Sequence, residues 1–104
     1  MVNTSPVCRI VKSDTFNQWL NGLQDLQARA RIAARLDRMA SGNVGDAKPV
    51  GSGVSELRID CGPGYRVYFK QRGPASIALL CGGDKGTQSS DIKRAIAIAE
   101  SWQE

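Results

Sequence analysis

The sequence predicts one α+β domain in which helices pack on one face of a small, mostly antiparallel sheet. The chain of 104 residues is long enough for a single hydrophobic core, so we expect one domain over residues 1–104. Its hydrophobic share of 41% and charged share of 23% are typical of a globular protein. Three consecutive strand-like segments joined by short turns favour an antiparallel meander, with helix-periodic segments before and after it. The expected order is therefore β-α-α-β-β-β-α.

The first half of the chain predicts one strand and two helices. The segment VCRIVK, residues 7–12, is short and alternating, as in a strand. Ser13 or Asp14 can begin a helix that ends near Gly22, because apolar residues recur between them at helical spacing. A second helix is expected over residues 25–41, and the glycine that follows is placed to cap it.

The second predicted helix has a basic side. Arg31, Arg35 and Arg38 recur at i, i+4 and i+7 and therefore share one face. A solvated helix surface explains this pattern, and so does a contact for nucleic acid or for an acidic partner segment. Both interpretations stay open at this point.

Residues 41–53, SGNVGDAKPVGSG, are rich in the residues that favour turns and predict a loop. Loops of this length are uncommon in compact domains, and those that occur are often functional or mobile. Lys48 lies within this segment.

The stretch ELRIDCGPGYRVYF, residues 56–69, predicts a hairpin whose strands are joined by GPG. Because side chains alternate along a strand, the apolar residues of the hairpin share one face and pack on the core. The other face is expected to stay open to solvent and carries both charge signs and an aromatic ring. Its members are Glu56, Arg58, Asp60, Arg66, Tyr68, Lys70 and Arg72.

The last third of the chain predicts one more strand and one more helix. Residues 76–83, SIALLCGG, are apolar on both faces, as in an interior strand. The sequence GGDK then places Lys85 where this strand ends, at the rim of the sheet. Thr87 or Ser89 can cap a final helix with an apolar stripe that extends to Trp102.

Composition limits the possible functions. A net charge of +4 and a pI near 9.3 permit an acidic partner such as RNA, DNA or an acidic protein. The sequence has no apolar run of about 18 residues and no apolar block near its start, so we expect no membrane span and a cytoplasmic location. Three widely separated cysteines and the absence of histidine argue against a metal site, and we expect no metal and no cofactor.

The open face of the hairpin suggests two kinds of role. Two arginines offer paired donors to phosphate oxygens and a tyrosine ring can stack on a base, so the face can bind a phosphodiester. Cross-strand ion pairing that keeps the face soluble explains the same residues.

The words ELRID, GYRVYF and LLCGGDK occur in this order and spacing, and they carry a resemblance to a known family. Over roughly residues 14–99 the chain resembles the RelE/ParE superfamily of bacterial toxin-antitoxin toxins, and most of all its HigB-like addiction module killer branch. This resemblance implies a small basic protein that cuts mRNA in the ribosomal A site without a metal, by attack of a ribose 2′-OH on the neighbouring phosphate. It also implies a cognate antitoxin, usually a helix-turn-helix protein in this branch.

The resemblance assigns roles to particular residues. Arg58 and Arg66 would stabilise the phosphate, and Lys85 would assist the leaving group or bind an adjacent phosphate. Glu56 is the candidate base for the 2′-OH, and Tyr68 the candidate stacking or orienting ring. The candidate RNA-binding residues are Lys48, Lys70, Arg72 and Trp102.

The C-terminus departs from the family pattern. Several nucleases of the superfamily use a histidine or tyrosine close to their C-terminus, whereas this chain ends in AESWQE. Trp102 can stack on a base but cannot transfer a proton. Either a lysine or an arginine transfers the proton, or the protein binds its target without cutting it, as the gyrase-inhibiting ParE members do. An inactive toxin that only binds its antitoxin is a third alternative.

Overall fold

The computed structural model describes residues 8–102 and has an α+β fold, with a five-stranded mixed sheet and three α-helices in that range. The α+β class expected from the sequence is confirmed. The elements are β1 (Arg9–Lys12), α1 (Asp14–Gly22), α2 (Leu26–Ala40), β2 (Ala47–Gly51), β3 (Val54–Ile59), β4 (Tyr65–Gln71), β5 (Ser76–Asp84), a short 3₁₀ turn (Lys85–Thr87) and α3 (Gln88–Ser101).

The strands lie in the order β1-β5-β4-β3-β2. β1 runs parallel to β5, and the remaining neighbours are antiparallel, as the predicted meander requires. The long loop predicted over residues 41–53 is wrong, because it contains β2. β2 pairs with β3, with Lys48 opposite Glu56. Its Pro49 is compatible with a strand here because β2 lies at the edge of the sheet.

Helices cover both faces of the sheet, and the prediction that they pack on one face is wrong. α1 and α2 bury Phe16, Ile32 and Met39 against one face, together with the apolar residues of the β3–β4 hairpin. α3 buries Ala95 and Ala99 against the opposite face. The physical reason lies in β5, whose run from Ile77 to Cys81 is buried on both sides and needs a cover on each.

Two glycines allow helices to approach β5 closely from both faces. A Cβ atom on Gly82 would collide with the indole of Trp19 in α1. A Cβ atom on Gly83 would collide with the carboxylate of Asp91 in α3. Both glycines belong to β5, within the range predicted for this strand from the sequence. This close approach sets the first turn of α3 against the end of β5.

The helix ends follow the expected capping residues in part. The Ser13 hydroxyl accepts a hydrogen bond from the Phe16 amide at 3.0 Å and donates to the Leu80 carbonyl at 2.7 Å, which ties α1 to β5. Thr87 precedes α3 but makes no side-chain cap; its hydroxyl donates instead to the Asp91 carboxylate. Among the described helices, none has the length and apolar character needed to cross a bilayer.

Candidate functional site

A cavity of about 300 Å³ opens to solvent at the end of the sheet where the β3–β4 turn and the end of β5 meet. Arg58 and Arg66 are directly opposite each other on β3 and β4, and Lys85 follows β5. All three line the cavity, so the structure brings together the three basic residues that the sequence singled out for catalysis. The full lining is Asp46, Arg58, Asp60, Gly62, Pro63, Gly64, Arg66 and Lys85.

Gly64 places Lys85 beside Arg66. The Lys85 amide donates to the Gly64 carbonyl at 3.0 Å. A Cβ atom on Gly64 would lie 2.6 Å from Lys85 Cδ and 3.5 Å from Arg66 Nη1, so both side chains pass over this residue. Gly64 also has a φ of +84°, which favours glycine. The turn therefore needs glycine both for its backbone and for the approach of the two cations.

Arg58 is held at its backbone and paired at its tip. Its guanidinium lies 3.2 Å from the Asp46 carboxylate in a partly exposed ion pair, which contributes little to stability. Its carbonyl accepts a hydrogen bond of 2.7 Å from Arg35 of α2. Arg35 is therefore committed to the protein's own backbone. Arg31 and Arg38 remain exposed on the same helix, beside a second cavity of about 280 Å³.

Arg66 is 9% exposed, and its accessible part lies at the cavity. Its Nη1 donates to the carbonyl of Tyr65 at 3.1 Å. Its Nε lies 3.8 Å from Oε1 of Glu56, which is too long for a hydrogen bond. Because like charges directly opposite each other on two strands repel, Arg58 and Arg66 destabilise this end of the hairpin unless anions compensate them.

Glu56 and Tyr68 are not on an open face, and this corrects the position expected for both. Each is fully buried beneath α3 and the neighbouring strands. Oε2 of Glu56 accepts hydrogen bonds from the Tyr68 hydroxyl at 3.0 Å and from Gln88 Nε2 at 2.9 Å. Burial, and next the hydrogen bond to Glu56, raise the pKa of the Tyr68 phenol well above its usual value, so it remains a donor. Neither residue lines the cavity, and the buried Tyr68 ring cannot stack on a base there.

None of the four residues expected to bind RNA lines the cavity. Arg72 and Trp102 meet each other instead: the guanidinium lies 5.7 Å from the indole ring centre and donates to the Ala99 carbonyl at 2.9 Å. Arg72 comes six residues after Arg66, which is about 20 Å along the strand. Lys70 pairs with Val54 toward the same far end, and Lys48 is exposed on the edge strand.

Asp46 and Asp60 are cavity residues that sequence reasoning did not assign to the site. Asp46 lies in the segment that the sequence predicts to be a loop, and its carbonyl accepts a hydrogen bond from the Arg58 amide at 2.9 Å. Asp60 belongs to the hairpin pattern, so its place beside Arg58 could have been found from its position just after the strand. It is exposed, and it makes no ion pair with the described residues.

The described part of the chain holds no cluster of three or more His, Cys, Asp or Glu side chains that could bind a metal ion. Cys8, Cys61 and Cys81 are free thiols, and of the three only Cys81 is buried. Burial raises the pKa of Cys81 to about 11, with a further contribution from Asp91, so this thiol stays protonated and unreactive.

The fold and the site together define an α+β protein with a small cavity in which three cations and two carboxylates face solvent. Guanidinium and ammonium groups in this arrangement are suited to an anion with several oxygens, such as a phosphoryl group. An uncharacterized protein from Haemophilus influenzae is 52% identical to this chain over 86 residues, which cover 83% of this chain and 87% of the relative. The chain therefore belongs to the same family as that Haemophilus protein. No family model matches it.

Proposed function

We propose that this protein is the toxin of a type II toxin-antitoxin system and that it inhibits translation by metal-independent, ribosome-dependent cleavage of mRNA. The observation that carries the proposal is the meeting of Arg58, Arg66 and Lys85 at one solvent-open cavity. The words ELRID, GYRVYF and LLCGGDK, with their resemblance to HigB-like toxins, support a fold of the RelE/ParE type.

The cavity residues fit the needs of an internal attack on a phosphodiester. The ribose 2′-oxygen forms a bond to phosphorus while the bond from phosphorus to the 5′-oxygen breaks, which leaves a 2′,3′-cyclic phosphate. Arg58 and Arg66 stabilise the negative charge that builds on the phosphoryl oxygens. Lys85 delivers a proton to the departing 5′-oxygen, and the exposed carboxylate of Asp60 takes the proton from the 2′-OH.

Two features favour Asp60 over Glu56 as the base. Glu56 is fully buried and its Oε2 is already occupied by two donors, so no ribose hydroxyl can reach it. Asp60 lines the cavity and is exposed. The chain thus offers a carboxylate base and an ammonium acid in place of histidine.

Within this proposal, the partners are the ribosome with its mRNA and a cognate helix-turn-helix antitoxin. An antitoxin that neutralises the toxin has to block the cavity. The exposed residues around it are those at 62–63 in the β3–β4 turn and those that lead into β2. Both are therefore expected to gain protection from hydrogen exchange in the toxin-antitoxin complex.

Induced expression followed by primer extension on a reporter mRNA tests the proposal. We expect discrete cleavage sites with the wild-type protein and none with Arg66→Ala. Arg94→Ala is the matched control, because Arg94 is an exposed arginine of α3 away from the cavity. The same comparison applies to Lys85→Ala with Lys93→Ala as its control.

Two other results would overturn the nuclease proposal. Growth arrest with intact transcripts, double-strand breaks and induction of the DNA-damage response would identify a gyrase inhibitor of the ParE type. Normal growth at high expression would identify an inactive toxin that only binds its antitoxin.

A further inference from the structure

We propose that Glu56 is a positioning residue: its buried carboxylate aims the Arg66 guanidinium into the cavity and holds it in that orientation when a phosphate binds there. The identity of the ligand rests on the proposed function. The positioning itself concerns this chain alone, and it can be measured without any cleavage reaction.

A buried carboxylate needs partners, and Glu56 has them on one oxygen only. Its side chain is 1% exposed. Oε2 accepts from Tyr68 and Gln88, whereas Oε1 has no hydrogen-bond partner among residues 8–102. Leaving an ionised oxygen unpaired in the interior is costly. The free oxygen is the one nearest to Arg66.

Arg66 has a donor without a partner, which complements the free oxygen of Glu56. Its Nε is buried and has no hydrogen-bond partner within the same range, 3.8 Å from Oε1 of Glu56. A movement of less than about 1 Å would bring the two atoms to the distance of a charge-assisted hydrogen bond. The two groups are therefore too far apart for a hydrogen bond, but an unused donor faces an unused acceptor.

The guanidinium is planar, so two fixed nitrogens determine where the third one points. Nη1 is bound to the Tyr65 carbonyl, and Nε faces Glu56. Nη2 and the second proton of Nη1 are the donors that remain for a ligand in the cavity. A phosphate in the cavity attracts the guanidinium through these donors from one side. The negative charge of Glu56 attracts it from the other side.

Glu56 is itself held from two elements. Tyr68 is its direct cross-strand neighbour on β4, and Gln88 is the first residue of α3. The raised pKa of Tyr68 keeps that hydroxyl protonated, so it donates to Glu56 over the physiological pH range. The negative charge also offsets the repulsion between Arg66 and Arg58, which stand opposite each other.

Glu56→Gln tests the proposal because it reverses the polarity at one atom. Tyr68 and Gln88 both donate to the position of Oε2, so they select the carbonyl oxygen of the new amide. Its NH₂ group then faces Arg66 Nε, and two donors oppose each other. Glu100→Gln removes the same charge from an exposed position on α3 and is the matched control.

The readout is the Arg66 Nε–H resonance of the labelled protein, with an uncleavable 2′-deoxy trinucleotide and inorganic phosphate as probes. In the wild type and in Glu100→Gln, we expect the trinucleotide to cover the cavity and so to slow the exchange of the Arg66 Nε proton with water. In Glu56→Gln, exchange should be faster before any probe is added. Binding of the trinucleotide should be about tenfold weaker or more, because the buried Arg66 Nε–H then faces another donor and has no acceptor.

Tyr68→Phe provides a second test in case Glu56→Gln does not fold. It keeps the carboxylate, removes one anchoring donor, and should give a smaller change in the same direction. If either variant is folded and both its Arg66 exchange rate and its affinity match the wild type, Glu56 has only a structural role and the proposal fails. If the wild type binds neither probe while Arg66 exchange still accelerates in Glu56→Gln, positioning holds and the proposed RNA function fails.

Discussion

The chemistry available to each side chain of this protein depends on the element that covers it. Glu56 and Arg58 are two residues apart on β3 and point to the same side of the sheet. α3 begins over Glu56 and leaves Arg58 partly exposed. One residue thus becomes a buried partner for Arg66, and the other becomes a wall of the cavity.

Cys81 makes the stability of the folded protein fall with pH in the alkaline range. Its pKa rises from 9.0 to about 11 because it is buried beside Asp91. Above pH 9 the unfolded chain releases the thiol proton while the folded chain keeps it, so the free energy of unfolding falls as pH rises toward 11. We expect a loss of roughly 2 kcal/mol over this window.

Urea unfolding at several pH values, with the wild type and Cys81→Ala, measures this contribution. The variant should be less stable at neutral pH but should lose less stability between pH 9 and 10. Above pH 10 the raised pKa values of Tyr65 and Tyr68 add their own losses in both proteins. Parallel curves below pH 10 would show that the thiol does not cause the dependence.

β5 is the element on which both helical layers depend. Gly83→Ala places a methyl group against Asp91 and Thr87 at the start of α3. We expect it to lower the free energy of unfolding by about 2 kcal/mol or more, because the buried Asp91 carboxylate would have to leave its hydrogen bond with Thr87 to make room. Gly22→Ala is the control, since nothing lies within 4 Å of its Cβ position and alanine favours helix. Equal stability of the two variants in urea unfolding would contradict this account of the close packing.

The end of α3 is held by Arg72 and Trp102. Arg72→Ala removes a hydrogen bond to the Ala99 carbonyl and a contact with the indole ring. We expect a loss of about 1 kcal/mol in the free energy of unfolding, with little change in affinity for the trinucleotide. A loss of affinity at unchanged stability would restore the RNA-binding role that the sequence suggested for Arg72.

The distribution of charge over the molecule predicts how RNA binding responds to salt. Three cations line the cavity, so binding of a short single strand there should give a slope of about −2 in a plot of log affinity against log salt concentration. Lys85→Ala should reduce the slope by about 0.7. A much steeper slope in the wild type would mean that further basic residues, such as Arg31 and Arg38, also contact the RNA.

The hairpin pattern was sufficient to put Arg58 and Arg66 on the same face of adjacent strands, because side chains alternate along a strand. The register was not predicted, because β3 ends at Ile59 and the strands are joined by residues 60–64 rather than by GPG alone. β2 was missed because its Gly and Pro residues favour turns, and its strand character comes from pairing with β3. Asp46 was missed with it, since its place at the cavity depends on that pairing.

The α+β class, the order of most elements and the apolar face of the hairpin follow from the sequence, because periodicity and turn chemistry act between residues close in the chain. The folded structure placed α3 on the second face and thereby buried Glu56 and Tyr68. It also separated Arg72 and Trp102 from the cavity. These outcomes depend on contacts between distant segments, and burial is a property of the covering element as much as of the residue that it covers.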